Sequence, residues 1–310
     1  MYILAGLTHF EVLLVAQIAA VVVGALAWAW RTRSLRAIEA QSREHRPLGP
    51  DGVVIGGAGF VLERERGPAV LLLHGAGDTP QTLRYLAEHL HRNGFHVAAP
   101  LLPGHGRSLA DFSRVTAARL LEAAEMEYSA LRSSRDWVAV VGLSMGGALA
   151  VQLAAEHPDM PALVLLAPYL AMPAQVATAA RLAWLWGPIM PGVRSGDGLS
   201  IHDPEERARG LAYGVFTASA LRALYLTMRR ARKQLPRVTV PTLMIQSTQD
   251  NRITVADAER AYARLGARDK RLNWISGAGH VITVDFGRDG VFDSVNQWLL
   301  AHGNRVAAEA

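Results

Sequence analysis

The sequence predicts an α/β fold in which helices flank a mostly parallel sheet, with a helical lid inserted late in the chain and a transmembrane helix before the domain. Three observations support this prediction. Short apolar runs alternate with helical patterns from about residue 51 onward. An uncharged apolar run occupies residues 12–30. Half of the 310 residues are apolar and only 19% are charged, which excludes an intrinsically disordered chain.

The alternation of apolar runs and helical patterns defines the core of the predicted domain. The six predicted strands are Ala69–Leu73, His96–Leu101, Trp137–Val141, Ala162–Leu166, Thr242–Gln246 and Arg271–Ile275. The predicted helices between them are Thr82–His91, Thr116–Leu131 and Ala148–Ala155. Residues 169–240 hold helical patterns but no convincing strand, and they interrupt the sheet between two core strands. We therefore predict that they form the lid.

The apolar run near the start of the chain predicts a membrane anchor. Residues 12–30 carry no charge, and at ~1.5 Å per residue a helix of this length spans ~28 Å, close to the hydrocarbon thickness of a bilayer. Arg31, Arg33 and Arg36 follow directly, so the positive-inside rule places the later residues in the cytoplasm. A cleaved signal peptide and a buried core helix are the alternatives. A signal peptide has a basic residue before its apolar run, and this chain has none there. A buried core helix rarely stays uncharged over so many residues.

These segments divide the chain into four predicted parts. They are a membrane anchor at residues 1–30, a juxtamembrane linker at 31–50, a globular domain at 51–303 with its lid at 169–240, and a tail at 304–310.

A serine in a glycine-rich turn is the candidate nucleophile. The sequence GLSMG at 142–146 fits the pattern G-x-S-x-G, an apolar strand runs into it and a helix of small residues leaves it. This strand-turn-helix setting is typical of a nucleophile elbow, and it predicts Ser144 as the nucleophile. The glycines fit a sharp turn, because a side chain at position 142 or 146 would collide with the neighbouring strand or helix. The alternative is a glycine-rich turn with an incidental serine.

A second glycine-containing loop follows the strand Ala69–Leu73. It reads HGAGD at 74–78, and a loop in this place supplies one of the two backbone N–H donors of an oxyanion hole. We predict the amides of Ala76 and Met145 as the donors. His74 precedes the nucleophile in the chain, so we interpret it as structural.

The acid and the base are expected after the nucleophile, in that order. Asp250 lies just past the strand Thr242–Gln246, where a loop carboxylate can point across the sheet edge. Asp257 competes for this role, but its surroundings have a helical pattern. His280 lies in a glycine-containing loop after the next strand. We therefore predict Asp250 as the acid and His280 as the general base.

The composition limits the chemistry that the chain can perform. It contains no cysteine, which excludes disulfides, thiolate metal sites and a cysteine nucleophile. We predict no metal and no organic cofactor, because a serine nucleophile with its base needs neither. The 32 basic and 27 acidic residues give a net charge of +5, a mild excess that suits an anionic membrane surface as readily as nucleic acid. We predict no nucleic-acid partner, and nothing in the sequence indicates an oligomeric state.

Four motifs in this order resemble the α/β-hydrolase superfamily and, within it, the bacterial monoacylglycerol lipases and their thermophilic carboxylesterase relatives. The motifs are HGAGD at 74–78, LLPGHG at 101–106, GLSMGG at 142–147 and GHVITVD at 279–285. A segment at 211–238 is also similar to the helical lid of those lipases, and the resemblance covers roughly residues 55–303.

The resemblance implies an α/β-hydrolase fold and a triad of Ser144, Asp250 and His280, with the oxyanion donors at the amides of Ala76 and Met145. Two features depart from the family. Its members are soluble whereas this chain carries an anchor, and the residue at position 76 is often bulkier than alanine.

Together these observations predict a membrane-anchored serine hydrolase that cleaves an acyl ester or a monoacylglycerol through an acyl-enzyme. The alternatives on the same scaffold are a lysophospholipase, a thioesterase, an acyltransferase or a proline-type aminopeptidase. A catalytically silent, membrane-tethered binding protein is the alternative of another class. Trp184 and Trp186 lie in an unusually apolar run at 183–190, and we predict that they line an acyl pocket. Contact with the bilayer and ordinary packing are the other interpretations.

Overall fold

The computed structural model describes residues 8–195 and 198–308, with side chains through residue 303. Residues 1–7 of the predicted anchor, 196 and 197 of the predicted lid, and 309 and 310 of the predicted tail lie outside the described residues.

A mixed sheet forms the centre of the domain. The strands of the described residues are β1 Phe60–Leu62, β2 Ala69–Leu73, β3 His96–Ala99, β4 Val138–Leu143, β5 Leu163–Leu166, β6 Val193–Arg194, β7 Val215–Phe216, β8 Thr242–Ser247 and β9 Lys270–Ile275. Seven of them form one sheet in the order β1-β3-β2-β4-β5-β8-β9, in which only β1 is antiparallel to its neighbour. Strands β6 and β7 pair separately as a short antiparallel ribbon.

Helices cover both faces of this sheet. The α-helices are α1 His9–Arg43, α2 Arg84–Arg92, α3 Leu109–Phe112, α4 Ala117–Arg132, α5 Met145–Glu156, α6 Ala174–Arg181, α7 Ala183–Trp186, α8 Pro204–Arg209, α9 Ala218–Gln234, α10 Val255–Arg264 and α11 Arg288–Ala308. Two 3-10 turns, Pro80–Leu83 and Leu235–Arg237, precede α2 and follow α9. Apolar residues of α4, α5, α9 and α10 pack on one face of the sheet, and those of α2 and α11 pack on the other. Strands β2, β4 and β5 are buried along their whole length, as their continuous apolar sequences require.

The predicted sheet flanked by helices is confirmed, and each of the six predicted strands is present with its ends within two residues. The edge strand β1 was not predicted. The prediction that residues 169–240 contain no strand is wrong, because β6 and β7 lie within them. Helix α11 was not predicted either, and it continues into the predicted tail as far as Ala308.

The strand order determines where a site can form. From β2 the chain passes to β3 on one side and then to β4 on the other, so the order reverses between β2 and β4. The loops that leave the carboxyl ends of these two strands therefore separate and open a crevice, which is where open α/β sheets bind their ligands. The loops HGAGD at 74–78 and GLSMG at 142–146 lie at these two strand ends.

Helix α1 is long and apolar enough to cross a membrane. An 18-residue window of it has a mean hydropathy of 2.4, and none of that window is buried against the rest of the protein. The helix does not stop at the end of the apolar run but continues through the predicted linker to Arg43. Near that end, Leu35 and Ile38 pack against the hydrophobic core of the domain.

Candidate active site

Ser144 lies at the sharp turn between β4 and α5. Its backbone has φ 55° and ψ −115°, a left-handed conformation that costs a non-glycine residue of order 1–3 kcal/mol. The surroundings hold this conformation in place. The Ser144 N–H donates to the Leu166 carbonyl on β5 at 2.9 Å, and the Ser144 carbonyl accepts from the Tyr169 N–H at 2.9 Å.

The glycines of the turn are required by contacts with the backbone. A Cβ atom at position 146 would lie 2.0 Å from the Leu73 carbonyl oxygen, and one at position 142 would lie 2.3 Å from the Gly146 carbonyl oxygen. A side-chain movement could not relieve either contact, because both clashing atoms are main-chain carbonyl oxygens.

A hydrogen-bonded chain connects three of the predicted site residues. The Ser144 Oγ lies 2.7 Å from His280 Nε2, and His280 Nδ1 lies 2.8 Å from Asp250 Oδ2. The three residues come from the loops after β4, β8 and β9, so the carboxyl edge of the sheet brings them together. Ser144 is 9% exposed and the Asp250 side chain is fully covered. A proton can therefore pass between the Ser144 hydroxyl and the His280 imidazole with little contact from water.

The Asp250 carboxylate is held by more than the imidazole. Its Oδ1 accepts from the backbone N–H groups of Arg252 at 2.7 Å and Ile253 at 3.0 Å, and its Oδ2 also accepts from Gln246 Nε2 at 2.6 Å. Burial alone would raise the pKa of this carboxyl. The His280 ring and the N–H donors lower the pKa by more, so that it lies below its ordinary value. The group is therefore ionised at neutral pH.

The competing carboxylate, Asp257, lies in the first turn of α10. Its Oδ2 accepts from the Thr254 hydroxyl at 2.6 Å, and its Oδ1 pairs with Arg260 at 2.6 Å. These contacts cap and support a helix. Asp257 is therefore not part of the hydrogen-bonded set that Ser144, His280 and Asp250 form.

The loop after β2 passes next to the serine. A Cβ atom on Gly75 would lie 3.4 Å from the Ser144 Cβ and 3.8 Å from its Oγ. Ala76 follows Gly75, and Met145 begins α5, where the first-turn N–H groups have no acceptor within the helix. Both predicted amides thus belong to segments that flank Ser144.

His74, the first residue of this loop, joins it to the segment that follows β3. Its Nδ1 donates to the Gly75 carbonyl at 2.9 Å, and its Nε2 accepts from the Leu102 N–H at 3.0 Å. Burial, with a smaller contribution from the charge of His105, lowers the pKa of His74 to about 3. The ring is neutral at physiological pH and joins the loops after β2 and β3, which agrees with the structural interpretation.

The two predicted pocket residues, Trp184 and Trp186, both lie in the short helix α7. Trp184 is 68% exposed, together with exposed Leu185 and Ile189, so Trp184 does not line an enclosed pocket in this conformation. Trp186 is half-buried, and its Nε1 donates to the Ala179 carbonyl at 2.8 Å. The structure therefore does not join this pair to the chain of Ser144, His280 and Asp250.

Several residues around the site were not found from the sequence. Gln246 is a buried amide that directly follows the apolar residues 243–245 of β8, and it donates to Asp250. The rings of Tyr169 and His280 meet at nearly a right angle with their centres 6.4 Å apart, and burial raises the pKa of the Tyr169 hydroxyl to about 12. A polar residue in an apolar strand was a visible signal for Gln246, whereas Tyr169 had none. Among the described residues, no cluster of His, Asp and Glu is arranged to hold a metal ion.

Comparison with known proteins is consistent with this geometry. A thermostable monoacylglycerol lipase of Bacillus sp. (strain H-257) is 28% identical over 77% of this chain and 93% of its own length. A carboxylesterase of Bacillus subtilis (strain 168) is 26% identical over 74% of this chain and 92% of its own. Among solved structures, one reported for the metagenome-derived lipolytic enzymes LipS and LipT aligns with a TM-score of 0.72 and 29% identity, and it covers 80% of this chain and 98% of the other.

The family described as serine aminopeptidase, S33 (Hydrolase_4) matches residues 64–286, which is more than half of the chain and includes the loops after β2, β4, β8 and β9. The chain therefore belongs to this family of serine hydrolases and has the α/β-hydrolase fold.

Proposed function

We propose that this protein is a membrane-anchored serine hydrolase of carboxylic esters, with monoacylglycerols as the substrate class. The observation that carries the proposal is the hydrogen-bonded chain of Ser144, His280 and Asp250 at a strained turn. The names of the relatives, a monoacylglycerol lipase and a carboxylesterase, support the choice of an ester substrate.

In the proposed mechanism His280 Nε2 takes the proton of Ser144 as its oxygen attacks the ester carbonyl. Asp250 accepts from Nδ1–H, fixes the tautomer that leaves Nε2 free, and stabilises the imidazolium that forms. The amides of Ala76 and Met145 donate to the tetrahedral oxyanion. His280 then protonates the leaving alcohol, and a water molecule repeats the sequence on the acyl-enzyme.

The anchor places this chemistry at a lipid surface. Residues 12–30 of α1 would span the bilayer, and Arg31, Arg33 and Arg36 would hold the catalytic domain on the cytoplasmic side. The exposure of Trp184 favours contact with the bilayer over a role in lining an acyl pocket.

A second candidate reaction is removal of an amino-terminal residue from a peptide, because the family takes its description from a serine aminopeptidase. The two reactions share the serine, its base and the oxyanion donors, and they differ in the group that leaves. They are separated by assaying aminoacyl p-nitroanilides beside esters.

The test compares wild type with Ser144→Ala on p-nitrophenyl esters of increasing acyl length and on 1-monoacylglycerols. Wild type should hydrolyse the esters and react with a fluorophosphonate probe, and Ser144→Ala should do neither, since it lacks only the hydroxyl. Ser134→Ala, on an exposed turn, is the matched control and should behave as wild type. Ester hydrolysis that persists in Ser144→Ala, or activity on the anilides alone, would reject the proposal.

Location needs a separate test. A transmembrane helix resists alkaline carbonate whereas surface binding does not, so carbonate should leave the protein in the membrane. Protease added to intact spheroplasts should leave the catalytic domain uncut. Digestion of the domain would overturn the orientation, and a mature amino terminus near Trp28 would favour the signal peptide.

A further inference from the structure

A buried carboxylate beside the His280 loop has no role in the proposed mechanism. Asp285 is 2% exposed, and its two oxygens accept four backbone hydrogen bonds. Oδ2 accepts from the N–H groups of Gly279 at 2.7 Å and His202 at 2.8 Å, and Oδ1 accepts from those of Asp203 at 2.9 Å and Phe286 at 2.9 Å. Four donors match the four acceptor positions of a carboxylate, so main-chain dipoles satisfy this side chain.

The donors come from two segments that are far apart in the sequence. Gly279 precedes His280 in the loop after β9, whereas His202 and Asp203 belong to the region inserted between β5 and β8. We call residues 198–203 the strap. Further contacts join the strap to this loop: the Val281 N–H donates to the Ser200 carbonyl at 2.8 Å, and the His202 ring lies 3.0 Å from the Gly277 carbonyl oxygen.

The strap also reaches the loop that carries the acid. Arg252 Nε donates to the Ser200 hydroxyl at 3.1 Å, and its Nη2 donates to the carbonyl of Ser195, which precedes the strap, at 2.9 Å. The backbone N–H of the same arginine donates to Asp250 at 2.7 Å. The strap therefore contacts the loops of both residues whose side chains form the 2.8 Å bond between imidazole and carboxylate.

We propose that Asp285 is a positioning residue that fixes the strap to the His280 loop and so sets the imidazole between Ser144 and Asp250. The proposal deepens the proposed function and rests on it. It also divides the predicted lid at 169–240, because the strap stays with the catalytic loops and any lid movement belongs to other parts of that region.

Asp285→Asn tests this with almost no change of shape. An asparagine has one carbonyl oxygen, so its NH₂ group would face two N–H donors and two of the four bonds would be lost. We expect kcat on a short soluble ester to fall by about 10- to 100-fold, as for a displacement of a catalytic group by about 1 Å, with KM within about threefold of wild type. Asp289→Asn, on the exposed first turn of α11, is the matched control and should leave both constants unchanged.

Hydrogen exchange of the full-length chain in detergent gives a readout that does not depend on turnover. In Asp285→Asn, amides at 198–203 and at 277–281 should lose protection together, while those of α4 keep it. Unchanged exchange, loss of protection in only one of the two segments, or a wild-type kcat in the folded variant would overturn the proposal.

A second variant covers the case in which Asp285→Asn fails to fold. A Cβ atom at Gly279 would lie 2.6 Å from the Leu199 carbonyl oxygen and 2.7 Å from that of Ser200, so Gly279→Ala pushes the strap away while the carboxylate stays. It should show the same fall in kcat and the same joint loss of protection. A folded Gly279→Ala enzyme with wild-type kcat would overturn the proposal. Absence of ester hydrolysis in wild type would instead reject the proposed function, and the exchange experiment would still decide whether Asp285 holds the strap.

Discussion

Replacement of Asp250 by asparagine should stop catalysis by changing the imidazole tautomer and not the geometry. One carboxylate oxygen accepts from two backbone N–H groups of the following turn, and the other accepts from His280 Nδ1 and Gln246 Nε2. The single carbonyl oxygen of asparagine satisfies the two backbone donors best, which turns its NH₂ group toward His280. The Nδ1 atom must then accept, the proton moves to Nε2, and Nε2 can no longer take the proton of Ser144.

The expected loss is about 10⁴-fold in kcat, or about 5 kcal/mol of transition-state stabilisation, because the wrong tautomer and the missing anion act together. The assay is kcat and KM on a short p-nitrophenyl ester, with the melting temperature as a check on folding. Asp257→Asn is the control and should lose at most a small part of its stability, since that residue only supports a helix end. A loss of less than tenfold in Asp250→Asn, or a large loss in Asp257→Asn, would refute the reasoning.

Two further predictions concern stability. Burial raises the pKa of Asp78 to about 6, so the folded state binds a proton more tightly than the unfolded state and stability falls as pH rises from about 4 through 6. The free energy of unfolding is about 3 kcal/mol lower above pH 6 than below pH 4. Asp78→Asn should therefore raise the melting temperature at pH 7.5 and not at pH 4, and a decrease at pH 7.5 would contradict this. Deletion of residues 1–30 should leave the melting temperature of the domain unchanged, whereas deletion of residues 1–46 should lower it by at least about 4–8 °C, since it removes the core packing of Leu35 and Ile38 as well as a buried cation–π contact worth about 2 kcal/mol. Equal melting temperatures for the two shortened chains would show that residues 31–46, Arg46 included, contribute nothing to the stability of the domain.

The sequence predicted those parts of the fold that continuous apolar runs specify. The strand Ala69–Leu73 was predicted with the bounds that the structure has, because five apolar residues between Pro68 and His74 leave little choice of boundary. The positions of Ser144, Asp250 and His280 followed from the strands that precede them, since parallel strands end at one edge of the sheet and each residue lies in the segment that follows a strand. The hydrogen bonds among them could be expected from the order of the loops but not measured from it.

The strands that were missed are too short to show a sequence period. Strands β6 and β7 have two residues each, too few for an alternating pattern, and β1 has three with its middle residue exposed. Asp285 was visible as the last residue of the motif at 279–285. Its partners are main-chain N–H groups, and because every residue except proline has one, the sequence does not show which residues bind it. The same limit applies to Gln246, whose partner is identified only when the loop after β8 is folded.

Arg46 joins the end of α1 to the domain. The residue is 6% exposed, its Nη1 donates to Ser42 Oγ at 3.0 Å, and its guanidinium lies 4.3 Å from the centre of the Tyr213 ring. The Tyr213 N–H in turn donates to the Gly77 carbonyl at 2.9 Å, and Gly77 follows the predicted oxyanion donor Ala76. Because Ser42 and Tyr213 both contact this buried arginine, the end of α1 cannot rotate freely against the loop beside Ser144. In the proposed membrane enzyme, the direction in which the active site faces the bilayer is therefore set by these contacts and not by the length of a flexible linker.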